Sequence, residues 1–220
     1  MKKIQLFGLA MVAMLAFGAF AAMSASAETT LLAEWLVNGA AITTLTSVET
    51  TGSVELINKT FLGTAKVLCE GAFDGSVGPN GEGEITEALQ GGVSQGAVLV
   101  APAIDCTGDA VCSGLVEVWA ENLPWLSRLV LMEDGTILNE WFEGTPAGTK
   151  PAYDEFCSNV GINNLCEGLS TTVMKNLASD VESTFILGSE VTTCNLGTGE
   201  TAGSGLTATL NGTTVAVSSE

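Results

Sequence analysis

The sequence predicts an all-β fold of antiparallel strands, a β-sandwich or a barrel-like structure, that is stapled by disulfides and contains at most one short helix. Apolar and polar residues alternate with a period nearer to that of a strand than to the helical period of about 3.6 residues. Three two-residue turn signals, Asn38-Gly39, Asp134-Gly135 and Asn211-Gly212, are flanked by strand-like sequence. The chain of 220 residues also holds six cysteines. An even cysteine count is typical of a disulfide framework in an exported protein.

The first 27 residues have the features of a secretory signal peptide. Lys2 and Lys3 form a positive start, the run from Ile4 to Met23 is apolar and uncharged, and Ala25-Ser26-Ala27 has the small-x-small form of a cleavage site. We expect cleavage after Ala27; retention of the segment as a membrane anchor is the alternative. The sequence therefore predicts a secreted protein, located outside the cell, in the periplasm or at the cell surface.

The remaining residues, 28–220, are expected to form a single all-β domain. No segment has the length and composition of a linker between two domains. Gly144 to Pro151 is the richest stretch in glycine, proline and threonine, and we interpret it as a long loop.

Charge limits the classes of partner. The chain has 25 acidic and 7 basic residues and no histidine, and loss of Lys2 and Lys3 would leave a formal net charge of 5 − 25 = −20. The electrostatic field of a chain with this negative charge repels phosphate backbones and anionic lipid surfaces. We therefore expect neither nucleic-acid binding nor membrane binding after signal cleavage. We expect an extracellular ligand, a polysaccharide or another protein. The five cations are too scattered to form a basic patch: Lys59, Lys66, Arg128, Lys150 and Lys175.

All six cysteines lie after the predicted cleavage site, and six cysteines allow 15 connectivities. Local loop closure favours Cys106 with Cys112 and Cys157 with Cys166. Cys69 would then pair with Cys194 across a long loop.

The turn signals predict two hairpins with defined register. Near the C-terminus, the facing pairs would be Leu210 with Thr213, Ala208 with Val215 and Leu206 with Val217. In the middle hairpin, the facing pairs would be Met132 with Ile137 and Leu131 with Leu138. Both registers assume a two-residue type I′ turn.

Further strands are predicted from alternation and β-branched residues. They span Ala41 to Val48, Ser53 to Ile57, Ala65 to Glu70, Gly83 to Leu89, Ala97 to Ile104, Leu115 to Ala120, Thr184 to Leu187 and Glu190 to Cys194. Gly78-Pro79-Asn80-Gly81 has the chemistry of a turn. The one helix candidate is Thr171 to Ser183, where Val173, Leu177 and Val181 recur every four residues.

No complete catalytic motif is present. Gly92-Val93-Ser94-Gln95-Gly96 matches a nucleophile elbow, but its serine would need a histidine base, and the chain has none. Metal sites that use histidine are excluded for the same reason, and oxidised cysteines provide no thiolate. We predict no cofactor, no metal site and no catalytic residue. Paired carboxylates, as in glycosidases, are the remaining route to catalysis.

The aromatic residues provide the only candidate binding surface. Trp35, Trp119 and Trp141 lie within strand-like runs, where we expect them to pack in the core. Trp125 follows Asn122-Leu123-Pro124, and the proline places it in a predicted connecting loop with its ring half exposed. The sequence therefore favours Trp125 as a tentative contact for a ligand.

Three motifs, Glu34-Trp35-Leu36-Val37-Asn38-Gly39, the turn from Gly75 to Gly81, and Asn122-Leu123-Pro124-Trp125, resemble a group of secreted bacterial proteins of unknown function. The resemblance implies export and disulfides. A histidine often follows the tryptophan of the last motif in that group, and Leu126 replaces it here.

Together these observations predict a secreted, non-catalytic extracellular or cell-surface protein that binds a carbohydrate or a protein. The alternatives are a secreted carboxylate-based hydrolase and a disulfide-rich protease inhibitor that presents the loop between Cys106 and Cys112.

Overall fold

The computed structural model describes residues 33–90, 106–186, 192–209 and 213–219, and these residues contain sixteen strands, one short 3₁₀ turn and no α-helix. The strands are β1 (Ala33–Val37), β2 (Ala40–Ala41), β3 (Thr46–Thr60), β4 (Gly63–Val77), β5 (Glu82–Gln90), β6 (Cys106–Gly108), β7 (Val116–Glu121), β8 (Trp125–Leu131), β9 (Ile137–Glu143), β10 (Ala152–Cys157), β11 (Ile162–Glu167), β12 (Ser170–Asn176), β13 (Val181–Phe185), β14 (Thr192–Cys194), β15 (Gly197–Thr209) and β16 (Val215–Ser219).

Eight antiparallel strands close into a ring, here called the main barrel. The ring runs β3-β4-β5-β8-β9-β12-β13-β15 and returns to β3, because β15 pairs with β13 on one side and with β3 on the other. The prediction of an all-β, disulfide-stapled, barrel-like fold is therefore confirmed. Closure leaves the ring without free edges, where unpaired backbone groups would otherwise be exposed.

A second group of strands, here called the disulfide lobe, is built on the same long strands. β3 and β4 pair along all 15 residues of each, and the end of β3 also pairs with the start of β15. From β15 the sheet continues through β14, β11 and β10 to β7, while β6 pairs with the first half of β4. These strands enclose an apolar cluster that includes Leu56, Val67 and five of the six half-cystines.

A three-stranded sheet, β16-β1-β2, packs against the main barrel. The turn at Asn38-Gly39 joins β1 to β2 with Val37 facing Ala40, and both turn residues have positive φ, which confirms the predicted hairpin. The predicted C-terminal hairpin is wrong: β16 pairs with β1 rather than with β15, so Val217 faces Trp35 and not Leu206.

Two other local predictions are also wrong. The middle hairpin has a three-residue loop, with Gly135 at positive φ, so Leu131 faces Ile137 rather than Leu138. The candidate helix from Thr171 to Ser183 consists instead of β12, a turn and the start of β13, which pair as a hairpin. The segment is rich in β-branched residues, which favour strands over a helix despite the spacing of four. The predicted strand from Ala97 to Ile104 and the turn at Asn211-Gly212 lie outside the described residues.

The disulfides join Cys69 to Cys106, Cys112 to Cys157 and Cys166 to Cys194, so the predicted pairing is wrong in all three bonds. Strand register decides two of them. Cys69 faces Cys106 across β4 and β6, and Cys166 faces Cys194 across β11 and β14. Proximity along the chain is a poorer guide than the sheet, which brings distant cysteines within bonding distance. Three disulfides are consistent with an oxidising or extracellular environment.

All described residues belong to one compact unit, Leu31–Glu220. The search for candidate membrane spans finds no helix in the described residues with the length and hydropathy to cross a bilayer. The signal peptide and its cleavage site lie outside the described residues and stay predictions.

Candidate functional site

Trp125 does not provide an exposed surface. It is the first residue of β8 rather than part of a loop, and it is 5% exposed. Its indole Nε1 donates to the backbone oxygen of Glu121 at 2.7 Å, and its ring lies 5.9 Å from that of Trp141. The prediction that Trp125 contacts a ligand at the surface is therefore wrong. Pro124 precedes the strand, and the strand turns the next side chain inward.

Trp35 and Trp141 are buried as expected, whereas Trp119 is only partly buried. Trp119 lies in β7 between Val118 and Ala120, which point into the disulfide lobe, so its own side chain points outward. No hydrogen bond to its indole is formed within the described part of the chain. Trp119 is the tryptophan with access to solvent.

The outer side of β7, β10 and β11 forms what we call the acidic face. Asp154 of β10 lies opposite Trp119 of β7 and Leu165 of β11, so these three side chains form one cross-strand row. The neighbouring rows add an aromatic ring, an amide and three more carboxylates: Glu117, Phe156 and Asn163 in one row, and Glu121 and Glu167 in the other. The face is an open strand surface that combines two aromatic rings with four carboxylates.

Asp154 is the most unusual group on this face. Its Oδ1 is buried without a hydrogen-bond partner, while Oδ2 accepts from Asn163 Nδ2 at 3.4 Å. Partial burial raises the pKa of Asp154, and a backbone hydrogen bond partly offsets the increase. A buried oxygen without a donor is unfavourable by about 1–3 kcal/mol.

A second polar group lies inside the disulfide lobe. Glu155 is 2% exposed, and its Oε2 accepts from Asn58 Nδ2 at 2.6 Å. Asn58 Oδ1 accepts in turn from the hydroxyl of Tyr153 at 3.4 Å. Burial raises the pKa of Glu155 to about 7, and the carboxylates of Asp109 and Asp154 add to the increase, whereas the hydrogen bond from Asn58 opposes it. Burial likewise raises the pKa of Tyr153.

The Cys112–Cys157 disulfide lies beside this acid. One carboxylate oxygen of Glu155 and the two sulfurs all lie within 4.8 Å of one another. Such a trio resembles a set of metal ligands, but sulfurs joined to each other are not thiolates and do not bind a metal in that role. A cavity of about 30 Å³ contacts all three residues and is also lined by Leu62 and Val160.

The interior of the main barrel contains little free space. A cavity of about 50 Å³ is lined by hydroxyl groups such as those of Thr50, Thr172 and Thr207, and by Trp35. The buried Nε1 of Trp35 has no hydrogen-bond partner in the structure. At about 10–15 Å³ per water, the space holds a few water molecules rather than an organic ligand. A ligand larger than this would have to bind on the outside.

The surface charge is strongly acidic. Four of the five described cations, Lys59, Lys66, Arg128 and Lys175, form ion pairs with glutamates. None of these pairs uses a carboxylate of the acidic face. The serine of the Gly92–Gly96 motif lies outside the described residues.

Comparison with known proteins finds no matching family model, curated protein or solved structure. The resemblance to secreted bacterial proteins therefore stays a prediction. Trp119 and Asp154 were not singled out from the sequence as partners, because their proximity depends on the register of β7 and β10.

Proposed function

We propose that the protein is a secreted, non-catalytic extracellular binding module that holds a polysaccharide on its acidic face. The observation that carries the proposal is the cross-strand pairing of the partly exposed Trp119 with Asp154 on the open acidic face. Indole rings stack on the apolar faces of sugar rings, and carboxylates accept hydrogen bonds from sugar hydroxyls. The site is an open surface, which suits a chain that runs across it.

Charge defines the class of polysaccharide. Four carboxylates surround the two aromatic rings, and they would repel a polymer that carries carboxylate or sulfate groups. We therefore propose a neutral polysaccharide or one that contains free amino sugars. A protonated amino group would be attracted by the four carboxylates of this face.

The test is binding of the full chain to immobilised neutral, amino-sugar and anionic glycans. Trp119→Ala should weaken binding at least about tenfold, because loss of a central aromatic contact typically costs more than about 1 kcal/mol. Phe61→Ala is the matched control, since Phe61 is 78% exposed at the turn between β3 and β4, outside the acidic face. No binding to any neutral or amino-sugar glycan, or equal loss in both variants, would contradict the proposal.

The same glycans separate this function from a carboxylate-based hydrolase. A binding module leaves the polymer intact, whereas a hydrolase releases new reducing ends that a colorimetric assay detects. The hydrolase would need two carboxyl groups on either side of the scissile bond.

Protein binding is a second candidate, favoured by an apolar tip formed by Phe61, Leu62 and Val160. Leu62 and Val160 line the same cavity, and they are 50% and 41% exposed. Exposed apolar side chains at one end of a domain are typical of protein contacts. In that case Phe61→Ala, not Trp119→Ala, would lose the partner in a pull-down from extracellular proteins. The inhibitor hypothesis stays a prediction, with the difference that the loop between Cys106 and Cys112 is tied by bonds to Cys69 and Cys157 rather than closed on itself.

A further inference from the structure

Glu155 and the Cys112–Cys157 disulfide form a cluster that the proposed binding function does not use. The two sulfurs and one carboxylate oxygen of Glu155 lie within 4.8 Å of one another. The sulfurs come from the loop before β7 and from the last residue of β10, and Glu155 lies two residues before Cys157 on the same inward side of β10. Register therefore fixes the acid beside the bond.

The orientation of the carboxyl group directs its proton toward sulfur. Oε2 accepts the hydrogen bond from Asn58 at 2.6 Å, so the proton of a neutral Glu155 resides on Oε1. Oε1 lies 3.4 Å from Cys157 Sγ. A disulfide sulfur carries no hydrogen, so the carboxyl O–H is the donor in this contact.

A path leads from the surface to these groups. The cavity of about 30 Å³ that contacts Cys112, Glu155 and Cys157 is bounded by Leu62 and Val160, which are both exposed residues in turns. This volume accommodates on the order of two or three waters, which is comparable to one arm of a small thiol. The exposed side chains at its rim, Leu62 and Val160, carry no charge.

We propose that the Cys112–Cys157 disulfide is a thiol-exchange site in which Glu155 protonates the departing sulfur. A thiolate of a small dithiol attacks Cys112 Sγ, the S–S bond breaks, and its electron pair leaves on Cys157 Sγ, the sulfur that faces Glu155 Oε1. The Glu155 proton then transfers to that sulfur, which gives a mixed disulfide at Cys112, a thiol at Cys157 and a carboxylate at Glu155. The second thiol of the reagent resolves the mixed disulfide and leaves as the oxidised reagent, and solvent returns the proton to Glu155.

Proton transfer from Glu155 neutralises the thiolate that forms when this buried bond breaks. Cys157 is buried, so its departing thiolate would form with little solvation. Glu155 keeps its proton below about pH 7, because burial raises its pKa to about 7 and the neighbouring carboxylates of Asp109 and Asp154 also favour the neutral form. Tyr153, the other ionisable group packed in this cluster, is neutral in this range because burial raises its pKa as well.

The Cys166–Cys194 disulfide provides an internal control. It is buried to a similar degree, but its sulfurs face Asn58 Oδ1 at 3.4 and 3.7 Å rather than an acid. An amide oxygen has no proton to donate. Any general opening of the lobe would expose both bonds, whereas proton donation by Glu155 acts on one.

The experiment follows the reduction of each disulfide in the full, folded chain by dithiothreitol, with rapid alkylation and peptide mapping. Each rate constant is calculated from the concentration of dithiothreitol thiolate at that pH, so that the ionisation of the reagent does not contribute to the pH dependence. For wild type, the constant for Cys112–Cys157 should fall about tenfold between about pH 6 and about pH 8.5, while that for Cys166–Cys194 stays level. Glu155→Gln should lower the constant at the acid end and remove its pH dependence.

Glu133→Gln is the matched control, because Glu133 is exposed in the turn between β8 and β9, and it should keep the wild-type profile. An unchanged profile in Glu155→Gln would overturn the proposal. So would reduction of both bonds at one common rate, which would indicate that exchange requires general unfolding. Loss of stability at higher pH would speed reduction, the opposite of the expected trend.

Discussion

Glu155→Gln should remove a pH dependence from the stability of the fold. The side chain is 2% exposed and has one hydrogen-bond donor within the described residues, Asn58 Nδ2. Burial is the main cause that raises its pKa from 4.5 to about 7. The folded protein therefore binds a proton on Glu155 over a pH range in which the unfolded chain has released it.

The sign and size of the effect follow from linkage. A group whose pKa is raised by folding contributes stability that is complete below the unfolded pKa, 4.5, and is lost as the pH rises through about 7. Between these values the free energy of unfolding falls by about 1.4 kcal/mol per pH unit. The total loss is about 3 kcal/mol at alkaline pH. Glutamine has the shape of the neutral acid and keeps the acceptor for Asn58, so the variant avoids this loss.

The measurement is urea unfolding at constant ionic strength from about pH 4.5 to about pH 8.5, with the disulfides intact. Wild type and Glu155→Gln should have similar stability at the acid end, and the variant should be more stable by about 3 kcal/mol at the alkaline end. Glu133→Gln, a change at an exposed position, should give a difference that does not vary in this way. A constant difference between wild type and Glu155→Gln across the range would refute the reasoning.

Three further predictions concern the framework. Leu56→Ala should lower the free energy of unfolding by about 2–5 kcal/mol, because Leu56 is 2% exposed in the core of the disulfide lobe. Leu206→Ala, at a 42% exposed position, should change the free energy of unfolding by less than about 1 kcal/mol. Urea unfolding of the two variants and the wild type measures both values. Gly203→Ala should lower the melting temperature measurably, because Gly203 has φ of 118° and an added Cβ would lie 2.1 Å from a backbone oxygen of β3; normal melting would contradict the assigned register. Peptide mapping without reduction should recover one fragment pair that links Cys112 to Cys157; a Cys157–Cys166 fragment would contradict the structure.

The sequence predicted the type and position of many strands but not their partners. Alternation located β5 and β7 to within one residue at each end, and in β7 the buried Val116 and Val118 alternate with less buried neighbours. The pairing of β16 with β1 could not be predicted, since residues 211–212 carry the same Asn-Gly signal as the true hairpin at 38–39. Local turn chemistry does not encode which distant strand is adjacent.

The candidate site was missed for the same reason. The ring of Trp125 was expected to be exposed because a proline precedes it, but β8 begins at that residue and turns the ring inward. Trp119 was expected in the core, but its neighbours in β7 occupy the inward positions. Composition identified tryptophan and carboxylate side chains as the residue types of the candidate site. Strand register decides which of these side chains are neighbours.

The three long strands β3, β4 and β15 are walls of the main barrel and of the disulfide lobe at once. A protease cut within any of them would open both enclosures together, so neither part survives alone as a fragment. Val48 pairs with Thr209, which means that the ring cannot close until nearly the whole polypeptide has left the ribosome. Until then β3 lacks one of its two neighbouring strands, and its unpaired edge stays open to contact with other chains.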